Sequence, residues 1–423
     1  MSLAMTTWET IDRYVVISSD THAGADRLQY KDYLDAQWHA DFDVWAAGYE
    51  SPFDDLVDAT ANQNWDSDLR MSILDADGIA GEVVFPNTIP PFFETVHTIA
   101  DLPWTAEELA PRVAGLQAHN RWLIEFCQEA PDRRRGLIQL MPHDIDAAVA
   151  EVRAAAETNV IGGVHIPAIP ANHPVGPYFD PRYDPLWAAC EDTGLPIHQH
   201  PGTGAPRVGA DLPASRAVMM TEFNDWTRRT LGHLILAGVF ERFPNLRAVW
   251  TEQSGGISWV LPVLGQLDVV VHGMQNESEG RTMPLFGSEV IDSLSLTPSE
   301  YFARNCYLGA SFMPRREARF INAVGVDRIM WGSDFPHEEG TTPHSREALR
   351  STFAEVPEDQ CRKMFAGTAA DVYGFDLDKL VGVASRIGPT VAEIATPLTE
   401  EEVPDSNSGA FAGLYGFGSK ARA

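Results

Sequence analysis

The sequence predicts an α/β protein: a (β/α)8 barrel of the TIM-barrel architecture, with an insertion after strand one and a C-terminal extension. Three observations lead there. Short β-branched or apolar runs alternate eight times with stretches of helical periodicity, the pattern of a parallel sheet wrapped by helices. Several of those runs end in a carboxylate or an imidazole, and a closed parallel barrel presents its chemistry at the carboxyl ends of its strands. The length of 423 residues allows two or three domains or one decorated barrel, and the unbroken alternation selects the barrel. The reading divides the chain into a lead over 1–13, a barrel over 14–376 and an arm over 377–423.

Met1-Ser-Leu-Ala ahead of Met5 reads as a vector-derived leader before the natural start, and no signal-peptide or membrane-spanning run follows it. Tyr14 to Ser19 is β-branched and ends in Asp20-Thr-His22, which makes the first strand. Gly24 to Asp66 holds Tyr30, Trp38, Trp45 and Phe53 without sustained periodicity. It reads as an insertion above the barrel mouth which, with Pro90-Pro-Phe-Phe93, would roof a pocket.

Met71 to Gly78 is a helix with a glycine stop, and Glu82 to Pro86 is the second strand. Thr105-Ala-Glu-Glu opens a long amphipathic helix through Glu129 in capping style, and Gly136 to Pro142 is the third strand. An alanine-rich helix, Ile145 to Thr158, leads into strand four, Val160 to Pro167. Asp184 to Gly194 has Pro in its first turn and Gly at its end, and it runs into Leu195 to His200, strand five.

A helix follows from about Thr221 to Phe243, then strand six, Leu246 to Glu252, and a helix from near Gly256. Strand seven is Cys306 to Phe312, with a helix over Arg315 to Val324. Strand eight, Arg328 to Gly332, runs into Ser333-Asp334, and final helices cover Ser345 to Glu355 and Glu358 to Tyr373. Beyond Asp376, prolines, serines and Glu400-Glu-Glu suggest an arm or a partly disordered extension.

With 60 acidic against 31 basic residues the net charge is -29, which repels phosphate backbones and anionic lipid. Nucleic-acid and membrane-surface binding are therefore not expected. The implied partner is a small-molecule substrate, with a homo-oligomer left open. The four cysteines form no CxxC pair, which argues against a zinc ribbon or a disulfide scaffold and suits a reducing, cytoplasmic setting.

The strand ends supply Asp20 and His22, His198 and His200, Glu252, and Asp334 with His337. Side chains alternate along a strand, so Asp20 and His22 share a face, as do His198 and His200. In a closed barrel that face is the interior. Donors from strands one, five and eight then converge on one point, and mixed nitrogen and oxygen ligation suits zinc, iron or manganese. Each element has a plainer explanation: Asp334 as a turn or helix cap, any single histidine as a hydrogen-bonded core residue. All three pairs at the same end of the right strands point to a site.

Ile17-Ser-Ser-Asp-Thr-His22, Leu195-Pro-Ile-His-Gln-His-Pro201, Thr251-Glu-Gln-Ser-Gly-Gly256 and Trp331-Gly-Ser-Asp-Phe-Pro-His337 resemble the amidohydrolase-related family of metal-dependent barrels. That family includes aminocarboxymuconate-semialdehyde and resorcylate decarboxylases. The resemblance spans roughly Tyr14 to Phe375. It implies one divalent metal ion, zinc first with manganese or iron as alternatives, held by Asp20, His22, His200 and Asp334. His198 would lie one layer deeper, although it and His200 could exchange roles.

Two departures from the family matter. Asp20-x-His22 stands where many members have His-x-His, and Thr251-Glu252-Gln253 replaces the histidine that decarboxylase members carry on strand six. The lysine that two-metal relatives place on strand four is also missing, with His165 in that strand, which implies a single metal.

In such a site Asp334 takes a proton from metal-activated water and Glu252 delivers it to a leaving group. His198 and His337 orient substrate or balance charge, His165 faces the mouth or the neighbouring layer, and Arg207 on the loop after strand five is the candidate anion binder. The first expectation is a metal-dependent hydrolase acting on a small organic molecule. The alternative is non-oxidative decarboxylation of an aromatic or enoic acid, and a catalytically silent binding barrel remains a third class.

Overall fold

Eight strands, β1 (Ile17–Ala23), β2 (Gly81–Pro86), β3 (Arg134–Gln139), β4 (Ile161–His165), β5 (Ile197–Gln199), β6 (Ala248–Thr251), β7 (Cys306–Ser311) and β8 (Ile329–Gly332), pair in sequence order as one parallel sheet. The computed structural model describes residues 7–50, 59–94, 100–206, 209, 212–275 and 288–412. The sheet curls back on itself. Thr21 bridges Phe335 in parallel, the Asp334 N–H donates to the Asp20 carbonyl at 2.9 Å, and the His22 N–H donates to the Phe335 carbonyl at 2.7 Å. Helices lie between the strands, so the fold is the expected (β/α)8 barrel.

Local chemistry accounts for the helix ends. Thr105 caps Ala106–Gln128 in a capping box with Glu108. Asp184–Thr193 stops at Gly194, whose φ of 72° is the left-handed conformation that glycine adopts without a Cβ clash. The helix Ala106–Gln128 buries Trp122, Leu123, Phe126 and Cys127. It lies so close to β3 that a Cβ on Gly136 would sit 2.8 Å from Leu123 Cγ. Side chains of this size contribute about 1.5–3 kcal/mol each when fully buried.

Element types agree with the sequence and several boundaries differ. The helix expected from Thr221 begins at Ser215, and the one expected near Gly256 begins at Val260. Arg315 to Val324 divides into a 3-10 segment, Arg315–Phe320, and one α turn, Ile321–Val324. Beyond Asp376, in the segment expected to be an arm or a partly disordered extension, Leu377–Ile387 is a packed helix, because Leu380 and Ala384, four residues apart, point into the core. The chain then turns back over the barrel mouth. Ala410 is buried beside Phe312 and Ala348, and the Gly409 N–H donates to the Glu339 carbonyl at 3.3 Å.

The insertion after β1 is built of short helical turns, with residues 51–58 outside the described set. Its aromatics pack on the segment that leaves β2. Trp38 and Trp45 lie 5.6 and 6.0 Å from the Phe92 ring, and Trp45 donates to the Phe93 carbonyl. Tyr30 meets Thr88 and His119, each at 2.8 Å. Among the described residues no helix is long and apolar enough to cross a membrane. All four cysteines are buried and free.

One buried ionic group braces the first three strands. Glu82 on β2 is fully enclosed and accepts from Arg70 (2.7–3.1 Å), Arg134 (2.9 Å) and the Thr21 hydroxyl (2.9 Å). Arg70 also donates to the His22 carbonyl at 2.9 Å. Burial alone would raise the Glu82 pKa, but the two guanidiniums outweigh it and hold the carboxyl at about 2.

Candidate metal centre

Asp20 and His22 project from β1, which carries a register irregularity between Ser18 and Thr21. Such an irregularity re-aims side chains at a strand end. Ser18 fixes the bend by donating to the Asp20 carbonyl at 2.7 Å. His200 stands one residue past β5, Glu252 one past β6 and Asp334 two past β8. Glu252 and Asp334 have φ of 53° and 61°, a left-handed backbone uncommon outside glycine. The strain sits where a strand must stop and turn its side chain into the mouth. Gly332 is needed beneath them, because a Cβ there would approach Asp20 Cβ to 2.8 Å.

One donor atom from each of Asp20, His22, His200 and Glu252 lies within 4.8 Å of the others, and so do donors of His22, Asp334 and His337. His22 Nε2 is 3.3 Å from Asp20 Oδ1 and 3.2 Å from Asp334 Oδ1, and His200 Nε2 is 2.9 Å from Glu252 Oε2. Both histidines present the same tautomer. His22 Nδ1 is 3.1 Å from the Pro86 carbonyl and His200 Nδ1 is 3.1 Å from the Pro201 carbonyl, contacts that place the N–H on Nδ1 and the lone pair on Nε2.

The donor set fits a divalent metal. Asp20 Oδ1, His22 Nε2, His200 Nε2 and Asp334 Oδ2 are all buried without a hydrogen-bond partner, a costly arrangement unless a cation gathers them. Among the described residues no lysine or arginine pairs with Asp20, Glu252 or Asp334. Burial would lower the His22 pKa, yet the carboxylates of Asp20 and Asp334 raise it well above the ordinary value. Asp334 is pushed up by burial but held well below the usual carboxylate range by His337 and His22. Glu252 moves the other way: burial, then Asp334 and Asp20, raise its pKa against the pull of His200. The two neighbouring carboxyls are thus pushed in opposite directions by their surroundings.

The remaining expected site residues take different places. His337 bridges the centre to β2. Its Nδ1 lies 2.9 Å from Asp334 Oδ1, its Nε2 lies 3.1 Å from Asn87 Oδ1, and its ring lies 4.1 Å from that of His22. His165 is buried on the wall, 3.4 Å from the Thr203 hydroxyl, with its ring 6.3 Å from His200. His198 lies deeper, packed on Tyr373, whose hydroxyl is 3.1 Å from Nε2; its other nitrogen meets the Pro196 carbonyl. Burial drops its pKa to about 3, so it is a neutral support. Gly163 makes room for it, since a Cβ there would come within 2.3 Å of His198 Cε1. Arg207 lies outside the described residues.

Sequence reasoning missed three contributors. Ser311, the last residue of β7, donates to Asp20 Oδ2. Asn87 follows β2, and Phe85 separates His198 from His200, 5.9 and 5.0 Å from their rings. Asn87 and Ser311 are the polar residues at the ends of their strands, a position that could have flagged both.

A family model described as amidohydrolase matches residues 100–375. The chain is 24% identical over 293 residues to gamma-resorcylate decarboxylase of Rhodococcus jostii (strain RHA1), covering 65% of this chain and 81% of the relative. It is 22% identical over 318 residues to 2-amino-3-carboxymuconate-6-semialdehyde decarboxylase of Dictyostelium discoideum, covering 74% and 78%. Among solved structures, an amidohydrolase from Mycobacterium avium subsp. paratuberculosis K-10 superposes with a TM-score of 0.64 at 19% identity, over 86% of this chain and 99% of that one. A 5-carboxyvanillate decarboxylase from Novosphingobium aromaticivorans DSM 12444, solved with bound manganese, gives 0.62 at 20% identity, over 88% and 100%. These two likenesses speak to the fold. With the family model matched over most of a barrel whose donors converge at its mouth, the chain belongs to the amidohydrolase family and is an enzyme of hydrolase or carboxy-lyase type.

Proposed function

We propose that this enzyme is a metal-dependent, non-oxidative decarboxylase of an aromatic or enoic acid. The reading reverses the first expectation from sequence, hydrolysis. It is supported by the decarboxylase names of both curated relatives and by one observation at the site: the Glu252 carboxyl stands at the metal centre, 2.9 Å from His200 Nε2, placed to pass a proton to a substrate bound there. Loss of carbon dioxide leaves electron density on carbon, and the chain must then supply an acid.

Asp20, His22 and His200, whose donors lie together, and Asp334, which meets His22 Nε2 at 3.2 Å, would hold the ion, zinc first, with manganese and iron as alternatives that the same donors accept. When bound, the ion supplies Lewis acidity that orients an acid substrate and stabilises its developing negative charge. Glu252, next to His200, carries the proton that replaces the departing carboxyl group. His337 steadies Asp334 through Nδ1 and is itself fixed by Asn87. His165 and Thr203 form the wall against which a ring would lie, and His198 supports the floor. Arg207 would supply a positive charge to an anionic substrate. Four buried free thiols support a reducing, cytoplasmic setting.

Metal-reconstituted protein incubated with carboxyl-labelled hydroxyaromatic and enoic acids should release labelled carbon dioxide. In deuterated water it should place deuterium on the carbon that carried the carboxyl group. Uptake of water oxygen into a cleaved product, with no carbon dioxide, would establish hydrolysis instead.

A further inference from the structure

Two buried amides connect the insertion after β1 to the metal centre, and their direction is fixed at the far end. Asn64 closes the short turn Ala61–Asn64 and is 1% exposed. Its Nδ2 donates to the Ala61 carbonyl at 3.0 Å, a partner that can only accept. The Asn64 side-chain oxygen is therefore the atom turned to Asn87, whose Nδ2 donates to it at 2.7 Å. With its amino group taken, Asn87 has only Oδ1 left for His337, so the hydrogen between them sits on His337 Nε2, 3.1 Å away. Flipping Asn64 would set its oxygen against a carbonyl, and flipping Asn87 alone would set two amide oxygens face to face. His337 in turn holds Asp334 Oδ1 at 2.9 Å through Nδ1, and Asp334 Oδ2 is the oxygen left buried without a partner.

The turn that carries Asn64 is pinned to the end of β1. The Gly24 N–H donates to the Asn64 carbonyl at 3.3 Å, and Arg70 donates to the Gln63 carbonyl at 3.1 Å and to the His22 carbonyl at 2.9 Å. Asn64 and the ligand His22 are thus fastened to the same guanidinium. We propose that Asn64 is a positioning residue of the metal centre: acting through Asn87 and His337 it aims the Asp334 carboxylate, so the insertion sets how tightly the ion is held. The inference rests on the metal-centre reading and applies to decarboxylation and hydrolysis alike. Loss of a group that orients a metal ligand lowers affinity by about 10–100-fold, and Asn64, two side chains removed from Asp334, belongs at the lower end of that range.

The test is competition for zinc between a chromophoric chelator and the full-length variants N64L, N87L and N64L/N87L. N64L and N87L should each bind zinc about tenfold more weakly than wild type. The double variant should bind no more weakly than N87L, because Asn64 reaches the centre only through Asn87. The visible absorption of the cobalt-loaded proteins should shift from that of wild type in all three. A residue that only braces its turn would leave the cobalt spectrum of N64L unchanged, and either its zinc affinity would stay at the wild-type value or the two losses would multiply in the double variant. Any of these results would overturn the proposal. N64S keeps a polar group in the turn but is too short to reach Asn87, and it carries the same expectations should N64L fail to fold. Wild type that takes up neither zinc nor cobalt would overturn the metal centre and the proposal together. The expected affinities without carbon dioxide from any acid would overturn the decarboxylase reading and leave the role of Asn64 standing.

Discussion

Replacing Glu82 by Gln tests whether the buried ionic group beneath β1 governs both stability and the metal centre. Glu82 accepts from two guanidiniums that have no exposure of their own, so E82Q leaves two cations facing each other in the core. Removing one partner of a buried ion pair costs about 3–5 kcal/mol. The pKa gives a second route to the same size: a drop from 4.5 to about 2, at 1.36 kcal/mol per pH unit, is about 3 kcal/mol. Because the folded pKa is depressed, this stability is present above the unfolded carboxyl's range and is lost as pH falls from roughly 4.5 toward 2. Urea unfolding followed by tryptophan fluorescence should therefore show E82Q less stable by about 3 kcal/mol at pH 7, with the gap closing only below about pH 4.5. Since Arg70 also holds the His22 carbonyl, the variant should bind metal more weakly. A difference under about 0.5 kcal/mol at pH 7, or a gap that persists unchanged to pH 2.5, would refute the argument.

Further outcomes can be checked on the same protein. H22A should purify with less than about a tenth of the wild-type metal content by atomic absorption, and dialysis against a chelator should abolish turnover until metal is returned. E252Q should lower kcat by about 10²–10⁴-fold while metal stays bound through Asp20, His22, His200 and Asp334; loss of the metal would make Glu252 a ligand rather than the acid. G332A forces a methyl to within 2.8 Å of Asp20 Cβ, so it should weaken metal binding and cost about 1–3 kcal/mol in denaturant. G163A acts on the layer below, where a Cβ would press on His198; it should destabilise by a similar amount with a smaller loss of metal.

The barrel was legible because each strand is a short buried run closed by a polar residue, and β1, β5, β6 and β8 end in the residues that mattered. Spacing along a strand also placed His198 and His200 on one face, but it could not rank them. The difference comes from Tyr373 and Gly163, more than thirty residues away in either direction, which give His198 a closed slot in the floor. Glu82 was invisible as a core carboxylate, because a lone acidic residue at the start of an apolar strand does not reveal that Arg70 and Arg134 converge on it from separate elements. Ser311 and Asn87 went unnoticed for a related reason: their partners, Asp20 and His337, come from the opposite end of the chain. The packed helix Leu377–Ile387 sits in a segment whose prolines and acidic run mask the helical spacing of Leu380 and Ala384.

The left-handed backbone at Glu252 carries an implication for how this enzyme can be engineered. A glycine at that position would relax the turn, by about 1 kcal/mol, and would also remove a carboxylate crowded by Asp20 and Asp334. Sturdiness and turnover therefore pull in opposite directions at this one residue. A screen that selects only for heat resistance should drift toward proteins that melt later and no longer work.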